Sequence, residues 1–185
     1  MLFINVTCGI AIIGVASPLL QEVLGVTALV AAAAVGLMGI FNGAGRILWA
    51  SLSDYLTRPV VYVIFFATQT VAFYMLPSIK EIILFQVVLY FIMTCYGGGF
   101  ASIPAYIGDI FGTKELGAIH GYILTAWAAA GLVGPLIISM VKDKTGSYSE
   151  TLYVFSGFFV VALVVSILMV INIKSIKKRK QKVHH

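Results

Sequence analysis

Six apolar runs of membrane-spanning length constrain this chain more than any other feature. They cover about residues 2–20, 28–51, 60–76, 82–106, 117–140 and 152–173 of the 185. A helix rises about 1.5 Å per residue, so roughly 17–25 apolar residues cross a hydrocarbon core about 30 Å thick. Charged residues make up 10% of the chain, against about 25% in soluble domains. The sequence therefore predicts a multi-pass α-helical membrane protein and excludes a water-soluble domain.

The connections between the runs are short, and each carries turn or charge signals. They leave no room for an extramembrane domain. Because lipid cannot satisfy open backbone groups, an all-α transmembrane bundle follows. Six spans divide into three plus three, and an odd number per half gives the halves opposite orientations, as in inverted-repeat transporters. We predict a six-helix bundle over residues 1–173 with a 3+3 inverted repeat.

Lysine and arginine set the expected orientation. Arg58, Lys114 and the tail fall on one side, whereas Lys80, Lys142 and Lys144 fall on the other. The positive-inside rule then places both termini in the cytoplasm of a protein of the cell membrane. The tail at residues 174–185 carries six of the twelve basic residues, which either anchor the last span or attract anionic lipid. This placement does not favour a nucleic-acid partner.

The two ends of the sequence suggest further expectations. Met1 leads directly into a span, with no basic residue before Arg46, so a signal peptide is not expected. We expect the chain to be part of a longer protein. His184 and His185 are interpreted as terminal residues or the remnant of a tag.

Arg46 is the sharpest candidate for a functional residue. It lies well inside the second run, eight residues before Asp54. A charge at the centre of a spanning helix costs about 2.5–3.5 kcal/mol on insertion scales, so such residues usually face a wet cavity or a partner. Since arginine stays protonated and offers a planar fork of donors, an organic anion is its natural ligand. The alternatives are that Arg46 extends to the membrane interface, or that it pairs with Asp54 or Asp109.

Glycine and other small residues mark two further features. A stripe on the second run and another on the fifth run are typical of close helix packing. The stripes consist of Ala32, Gly36, Gly39, Gly43 and Ala50, and of Gly117, Gly121, Ala126, Ala130 and Gly134. In the fourth run, Gly97, Gly98 and Gly99 precede Pro104, which predicts a weak or kinked backbone suited to a moving or substrate-lining element.

Three aromatic residues and one histidine are candidate functional residues, and each also has a purely structural interpretation. Tyr96 and Phe100 flank the glycines, and Trp127 lies in the middle of the fifth run; such residues line a cavity or belong to the core. His120 is either a proton-coupled switch or an interfacial polar residue. No metal cluster, paired nucleophile and base, or phosphate loop appears, so we expect neither an enzyme nor a cofactor. A channel-forming oligomer and a structural membrane subunit are the alternatives to a transporter.

Several motifs, taken in order and spacing, resemble the oxalate/formate antiporter family of the major facilitator superfamily. The match covers nearly the whole chain and aligns it with the last six helices of such a transporter. The matching residues are Asn42 to Arg46, Trp49, Ser53, Asp54, Gly97 to Phe100, Pro104, Asp109, Phe111 to Lys114, and Gly131 to Pro135.

This resemblance implies the C-terminal half of a twelve-helix secondary transporter that works by alternating access, with an N-terminal six-helix half as its partner. It places Arg46 against the substrate carboxylate and Tyr96 and Phe100 in the cavity wall; we assign Asn42 to the same site. Trp127 stands where oxalate-transporting members carry a lysine. One fixed cation then favours a monocarboxylate over oxalate.

Asp54 and Arg58 resemble the charged part of the superfamily's loop signature between the second and third helices of each half. The departures are Ala50 and Thr57 in place of glycines and Tyr55 in place of a basic residue. An aspartate there can dock on a helix N-terminus and lock one conformation. We therefore expect Asp54 and Arg58 to act with the glycine run and Pro104 as a conformational switch, the alternative being a plain helix-end charge.

Overall fold

The structure, a computed structural model, describes residues 1–183, with side chains described as far as residue 176. This part of the chain is almost entirely helical and contains six helical segments long and apolar enough to cross a membrane. The predicted all-helical fold with six spans is confirmed. The helices are α1 (Leu2–Leu24), α2 (Ala28–Leu56), α3 (Arg58–Met75), α4 (Ile82–Ala101), α5 (Ile103–Phe111), α6 (Leu116–Thr145) and α7 (Ser149–Val183).

Local sequence signals define several helix ends. The Thr27 hydroxyl accepts a hydrogen bond from the Val30 amide at 3.4 Å, and the Glu81 carboxylate accepts one from the Ile83 amide at 3.0 Å. Both side chains satisfy amide groups that the first turn of a helix leaves free. Gly25 and Gly146 end α1 and α6 in the left-handed conformation, which glycine adopts without steric cost.

The fourth span consists of α4 and α5, which are separated at Ser102. Helical hydrogen bonding continues through Gly97, Gly98 and Gly99, so the glycines are not the break. Pro104 is in the first turn of α5; it has no amide hydrogen to donate to the Phe100 carbonyl, and its ring clashes with that carbonyl in a continuous helix. The irregularity of this span is a one-residue interruption at Ser102, and its position follows from Pro104.

The helix pairings are symmetric between the two halves of the chain. The most extensive contacts are those of α2 with α4, α1 with α6, and α3 with α7. Exchanging α1 with α4–α5, α2 with α6, and α3 with α7 maps this set of pairings onto itself. Since each half contributes three spans, this is the arrangement of a 3+3 inverted repeat.

Glycine sets the closest approach of the helices in both of the equivalent pairs. A methyl group added at Gly45 would overlap the backbone carbonyl of Thr94, and one added at Gly134 would overlap the carbonyl of Thr7. Gly97 has the same relation to the Asn42 carbonyl. Backbones can approach this closely only where a side chain is absent.

The small-residue stripe of α2 does not make this contact. Gly36, Gly39 and Gly43 are exposed, and a methyl group on each would meet open space. The same is true of Gly117 and Gly121 on α6. At these positions no helix of the described chain packs on the stripes, whereas Ala130 and Gly134 are buried. α2 and α6 are the least buried of the six spans.

Thr57, between α2 and α3, adopts a backbone conformation that is unusual for a β-branched residue. Its φ is 70° and its ψ is 138°. The loop signature that the sequence resembles has glycine at this position, and glycine reaches positive φ without strain. The departure at Thr57 thus introduces strain into the sharp connection immediately before Arg58.

The last helix continues beyond the predicted span. The sixth span was predicted to end at Ile173, whereas the backbone of α7 remains helical to Val183. The side chains of the tail cations from Lys177 to Lys182, together with His184 and His185, lie outside the described residues.

Candidate functional site

Arg46 lies on the exposed surface of the bundle, on α2 and ten residues before the end of that helix at Leu56. At 1.5 Å per residue this is about 15 Å from the helix end. The Arg46 Cζ lies 5.5 Å from the centroid of the Phe100 ring of α4. A guanidinium over an aromatic face at this distance is a favourable cation–π contact. The positive charge is thus held beside α4.

Two further aromatic residues extend this surface. The Phe100 and Trp127 ring centroids are 6.4 Å apart, which brings α6 next to the arginine. Trp127 is 43% exposed. Tyr96 lies one turn before Phe100, and its ring packs where a side chain at position 9 of α1 would otherwise lie. We name the group of Arg46, Phe100 and Trp127 the Arg46 cluster; three predicted site residues from three helices meet in it.

Asn42 lies one turn before Arg46 on α2. Its backbone carbonyl faces Gly97, and its Nδ2 atom is buried without a hydrogen-bond partner among the described residues. A buried amide donor usually has a partner. The Asn42 amide is therefore a buried donor, one helical turn from Arg46, without a partner among the described residues.

Arg58 forms ion pairs with Asp54 and Asp109, the two carboxylates considered as partners of Arg46. Its Nη2 atom donates to Asp54 at 2.7 Å, and its Nη1 atom donates to Asp109 at 2.7 Å. The alternative in which Arg46 pairs with Asp54 or Asp109 is therefore wrong. Arg58 joins α2 to α5 at the start of α3; we name Arg58, Asp54 and Asp109 the Arg58 cluster. A cavity of about 420 Å³ adjoins it.

A third ion pair lies at the opposite end of the bundle and was not predicted from the sequence. Glu22 of α1 is bonded to Lys142 of α6 and accepts hydrogen bonds from the Ser147 hydroxyl at 2.7 Å and the Tyr148 amide at 2.8 Å. Lys142 also lies over the Tyr148 ring at 4.2 Å. This arrangement ties α1 to the α6–α7 connection. The sequence signal was an isolated carboxylate at the end of an apolar run.

A buried polar group near the helix break was also missed. Asn5 of α1, Tyr62 and Gln69 of α3 are each 1% exposed. The Gln69 amide donates to Asn5 Oδ1 at 3.2 Å, the Asn5 amide donates to the Tyr96 carbonyl at 3.3 Å, and the Tyr62 hydroxyl donates to the Gly99 carbonyl. We name these three side chains the buried relay. Two amide residues inside apolar runs were the signal available in the sequence.

The remaining candidate, His120, gains no hydrogen-bond partner at its Nδ1 atom among the described residues. It is partly buried. Within the same residues, histidine, cysteine, aspartate and glutamate form no group of three able to hold a metal ion. Cys8 and Cys95 are buried, unpaired thiols.

Taken together, the six spans and the inverted helix pairings define a multi-pass membrane protein with a cation inside one of its apolar spans. The sequence profile of the Major Facilitator Superfamily matches residues 1–184. The chain belongs to this superfamily of transporters and is not an enzyme.

Alignments with individual proteins cover only part of the chain. The chain is 29% identical to the oxalate:formate antiporter of Oxalobacter formigenes over 113 residues, which are 60% of this chain and 27% of that protein. It is 28% identical to monocarboxylate transporter 10 of Homo sapiens and, likewise, of Rattus norvegicus over 121 residues, which are 63% of this chain and 23% of each relative. The matched segments span about a quarter of the length of these relatives.

Proposed function

We propose that this chain is one half of a secondary active transporter that moves a small monocarboxylate across the membrane by alternating access. The observation that carries the proposal is the Arg46 guanidinium, which lies inside an apolar span while the nearby candidate carboxylates are bound to Arg58. A fixed cation at depth attracts an anion, and its planar fork matches a carboxylate. Binding that favours an occluded state permits reorientation of the loaded site.

The composition of the Arg46 cluster supports a monocarboxylate as cargo. It contains one cation, and the position next to Phe100 holds Trp127 instead of a second basic side chain. A dianion such as oxalate leaves one of its charges without a partner in this site, and a buried unpaired charge is costly. The related proteins, which are named as an oxalate:formate antiporter and as monocarboxylate transporters, support a carboxylate of this kind.

A six-helix N-terminal half, either in the same polypeptide or in a second chain, completes the proposed transporter. In its support, α2 and α6 are the least buried spans, and their glycine stripes face open space. Arg46 and Trp127 lie on the surface of the bundle and need a second body to enclose a substrate. We further propose that the protein resides in the plasma membrane with both termini in the cytoplasm, since the end with Arg58, Lys114 and the tail is the more basic.

Uptake into vesicles tests this function. The intact transporter, reconstituted in lipid vesicles, is expected to accumulate radiolabelled formate, lactate or pyruvate and to take up oxalate more slowly. Acidifying the outside separates proton symport from exchange, because only symport is then driven inward. The six-helix chain expressed without an N-terminal half is expected to give no uptake. Absence of saturable uptake of every carboxylate by the intact transporter would refute the proposal.

Trp127→Lys is expected to shift the preference toward dianions. The lysine adds a second positive charge beside Phe100 and Arg46, so oxalate gains a partner for its second carboxylate. We expect the ratio of oxalate to monocarboxylate uptake to rise at least about tenfold, equivalent to about 1.4 kcal/mol. Trp127→Met, which removes the ring without adding charge, is the control. An equal ratio in both variants would contradict the single-cation argument.

We propose that the Arg58 cluster, the glycine run and Pro104 form the conformational switch. Arg58 bridges Asp54 on α2 and Asp109 on α5 at one end of the bundle. The break at Ser102 lets α5 move relative to α4, because Pro104 removes a helical hydrogen bond between them. Breaking the ion pairs then frees α5 and the adjoining cavity.

Asp109→Asn is expected to open this end while leaving the fold intact. The Asp109 side chain is 51% exposed, and a pair of this kind contributes less than about 1 kcal/mol to stability. The labelling rate of a cysteine introduced at Ile110, which lines the cavity, is expected to rise severalfold with a membrane-impermeant thiol reagent. Glu115→Gln, which neutralises an exposed carboxylate at the same end, is the control. Equal labelling in the two variants would remove Asp109 from the switch.

A further inference from the structure

We propose that Asn5, Tyr62 and Gln69 are positioning residues, which hold the fourth span in the form that is interrupted at Ser102 and thereby place Phe100 opposite Arg46. The inference rests on the proposed function for its link to transport. It concerns a polar unit that is separate from the cation and from the Arg58 cluster. None of the three side chains needs to touch the substrate.

The break in the fourth span creates a need for hydrogen-bond donors. The last carbonyl groups of a helix lack partners in the next turn. Ser102 donates its amide to the Gly98 carbonyl at 3.0 Å, and regular bonding resumes with the Tyr106 amide and the Ser102 carbonyl at 3.0 Å. The Gly99 carbonyl between them accepts the hydroxyl of Tyr62 from α3. Tyr62 thus caps the end of α4 from a neighbouring helix.

Asn5 and Gln69, the two amide residues of the buried relay, act one turn earlier in α4. Asn5 donates to the Tyr96 carbonyl, and Gln69 fixes the Asn5 side chain by donating to its oxygen. Gly99 allows this approach, since a methyl group there would lie 2.6 Å from Asn5 Nδ2. With both amides fully buried, these bonds have no water to compete with them. The relay therefore holds α4 from two helices, at residues 96 and 99.

The segment of α4 that the buried relay contacts also carries aromatic residues of the candidate site. Tyr96 begins it, and Phe100 follows Gly99 directly, with its ring centroid 5.5 Å from the Arg46 Cζ. If the hydroxyl of Tyr62 is removed, the Gly99 carbonyl loses its donor in the interrupted form only. Other conformations of the fourth span become relatively more favourable, and the Phe100 ring and α5 shift together.

Tyr62→Phe in the intact membrane-embedded protein tests the proposal. The variant removes only the hydroxyl, because the ring still packs on Phe65 and Phe66. We expect the labelling rate of a cysteine introduced at Ala105, an exposed position on α5, to change at least threefold. We also expect the KM for the transported monocarboxylate to rise at least fivefold, with a smaller change in kcat.

Tyr90→Phe is the matched control. Tyr90 is also a nearly buried tyrosine, at 8% exposure, and its hydroxyl has no hydrogen-bond partner in the described residues. It is expected to leave labelling at position 105 and the KM unchanged. Equal labelling rates in Tyr62→Phe and Tyr90→Phe would overturn the proposal. Because labelling needs no cargo, it decides the point even if no carboxylate is transported.

Gln69→Leu provides a second test that leaves Tyr62 in place. It removes the donor that orients Asn5, so labelling at position 105 is expected to change in the same direction as in Tyr62→Phe. In the double variant, the fold-change in labelling rate is expected to be smaller than the product of the fold-changes in the two single variants, since both substitutions act on one segment. Fold-changes that multiply in the double variant would contradict a single positioning unit. A merely structural role predicts a lower yield of folded protein without an altered labelling rate.

Discussion

Replacing Arg46 by glutamine is expected to lower carboxylate uptake by the intact transporter at least about 100-fold. Loss of one partner of a desolvated charge pair costs about 2–5 kcal/mol, and 2.7 kcal/mol corresponds to a factor of 100. Arg46 is exposed in the six-helix bundle, so its removal leaves no buried partner unsatisfied there. Expression and thermal stability are therefore expected to remain close to those of the parent.

Two variants serve as controls for this result. Lys80→Gln removes an exposed cation from a connection and is expected to leave uptake unchanged. Arg46→Lys keeps the charge but not the two-pronged geometry, so an intermediate loss of roughly tenfold is expected. Uptake that is unaltered in Arg46→Gln would exclude Arg46 from the substrate site.

Replacing Gly97 by alanine is expected to separate α2 from α4 and abolish the site. A methyl group there would overlap the backbone carbonyl of Asn42, which cannot move as a side chain can. Overpacking of this kind costs about 1–3 kcal/mol, and the displacement falls between Asn42 and Arg46 on one helix and Phe100 on the other. Uptake and the thermal unfolding midpoint should both fall.

Gly157→Ala distinguishes this effect from a general intolerance of larger residues. Gly157 lies on α7, and a methyl group there meets open space. Alanine is the better helix former by about 0.5–1 kcal/mol, so the variant is expected to be neutral or slightly more stable. If Gly97→Ala and Gly157→Ala behaved alike, close packing at Gly97 would not hold the site together.

The sequence was sufficient to predict the spans and the position of the charge within them. Apolar run length decides which segments cross a bilayer, and this property is local. Pro104 likewise acts within one turn, so a weak backbone near it could be predicted. The continuation of α7 beyond Ile173 could not, because the polar tail gives no apolar signal for its helix.

Interactions between distant helices were harder to predict. Asp54 was assigned a role at a helix N-terminus, and Asp109 was considered as a partner of Arg46, whereas both bind Arg58. Periodicity on one helix gives its own faces but not the neighbour that each face meets. For the same reason the stripe through Gly36 and Gly43 predicted close packing but not its partner, and α2 contacts α4 through Gly45 instead.

The buried relay shows where such reasoning stops. Asn5 and Gln69 are 64 residues apart in the chain, and each alone is only a polar residue in an apolar run. Their meaning depends on the carbonyl groups of residues 96 and 99 of α4, of which the second lies at the interruption next to Pro104. A pattern within any single span contains none of these relations.

Equilibrium binding tests the central claim most directly, namely that the Arg46 guanidinium receives a carboxylate anion. Purified intact transporter in detergent is titrated with a radiolabelled monocarboxylate, and the same titration is made with Arg46→Gln. The account predicts saturable binding to one site in the parent protein, competition by other monocarboxylates, and loss of that binding in the variant. Equal binding by the two proteins would contradict it.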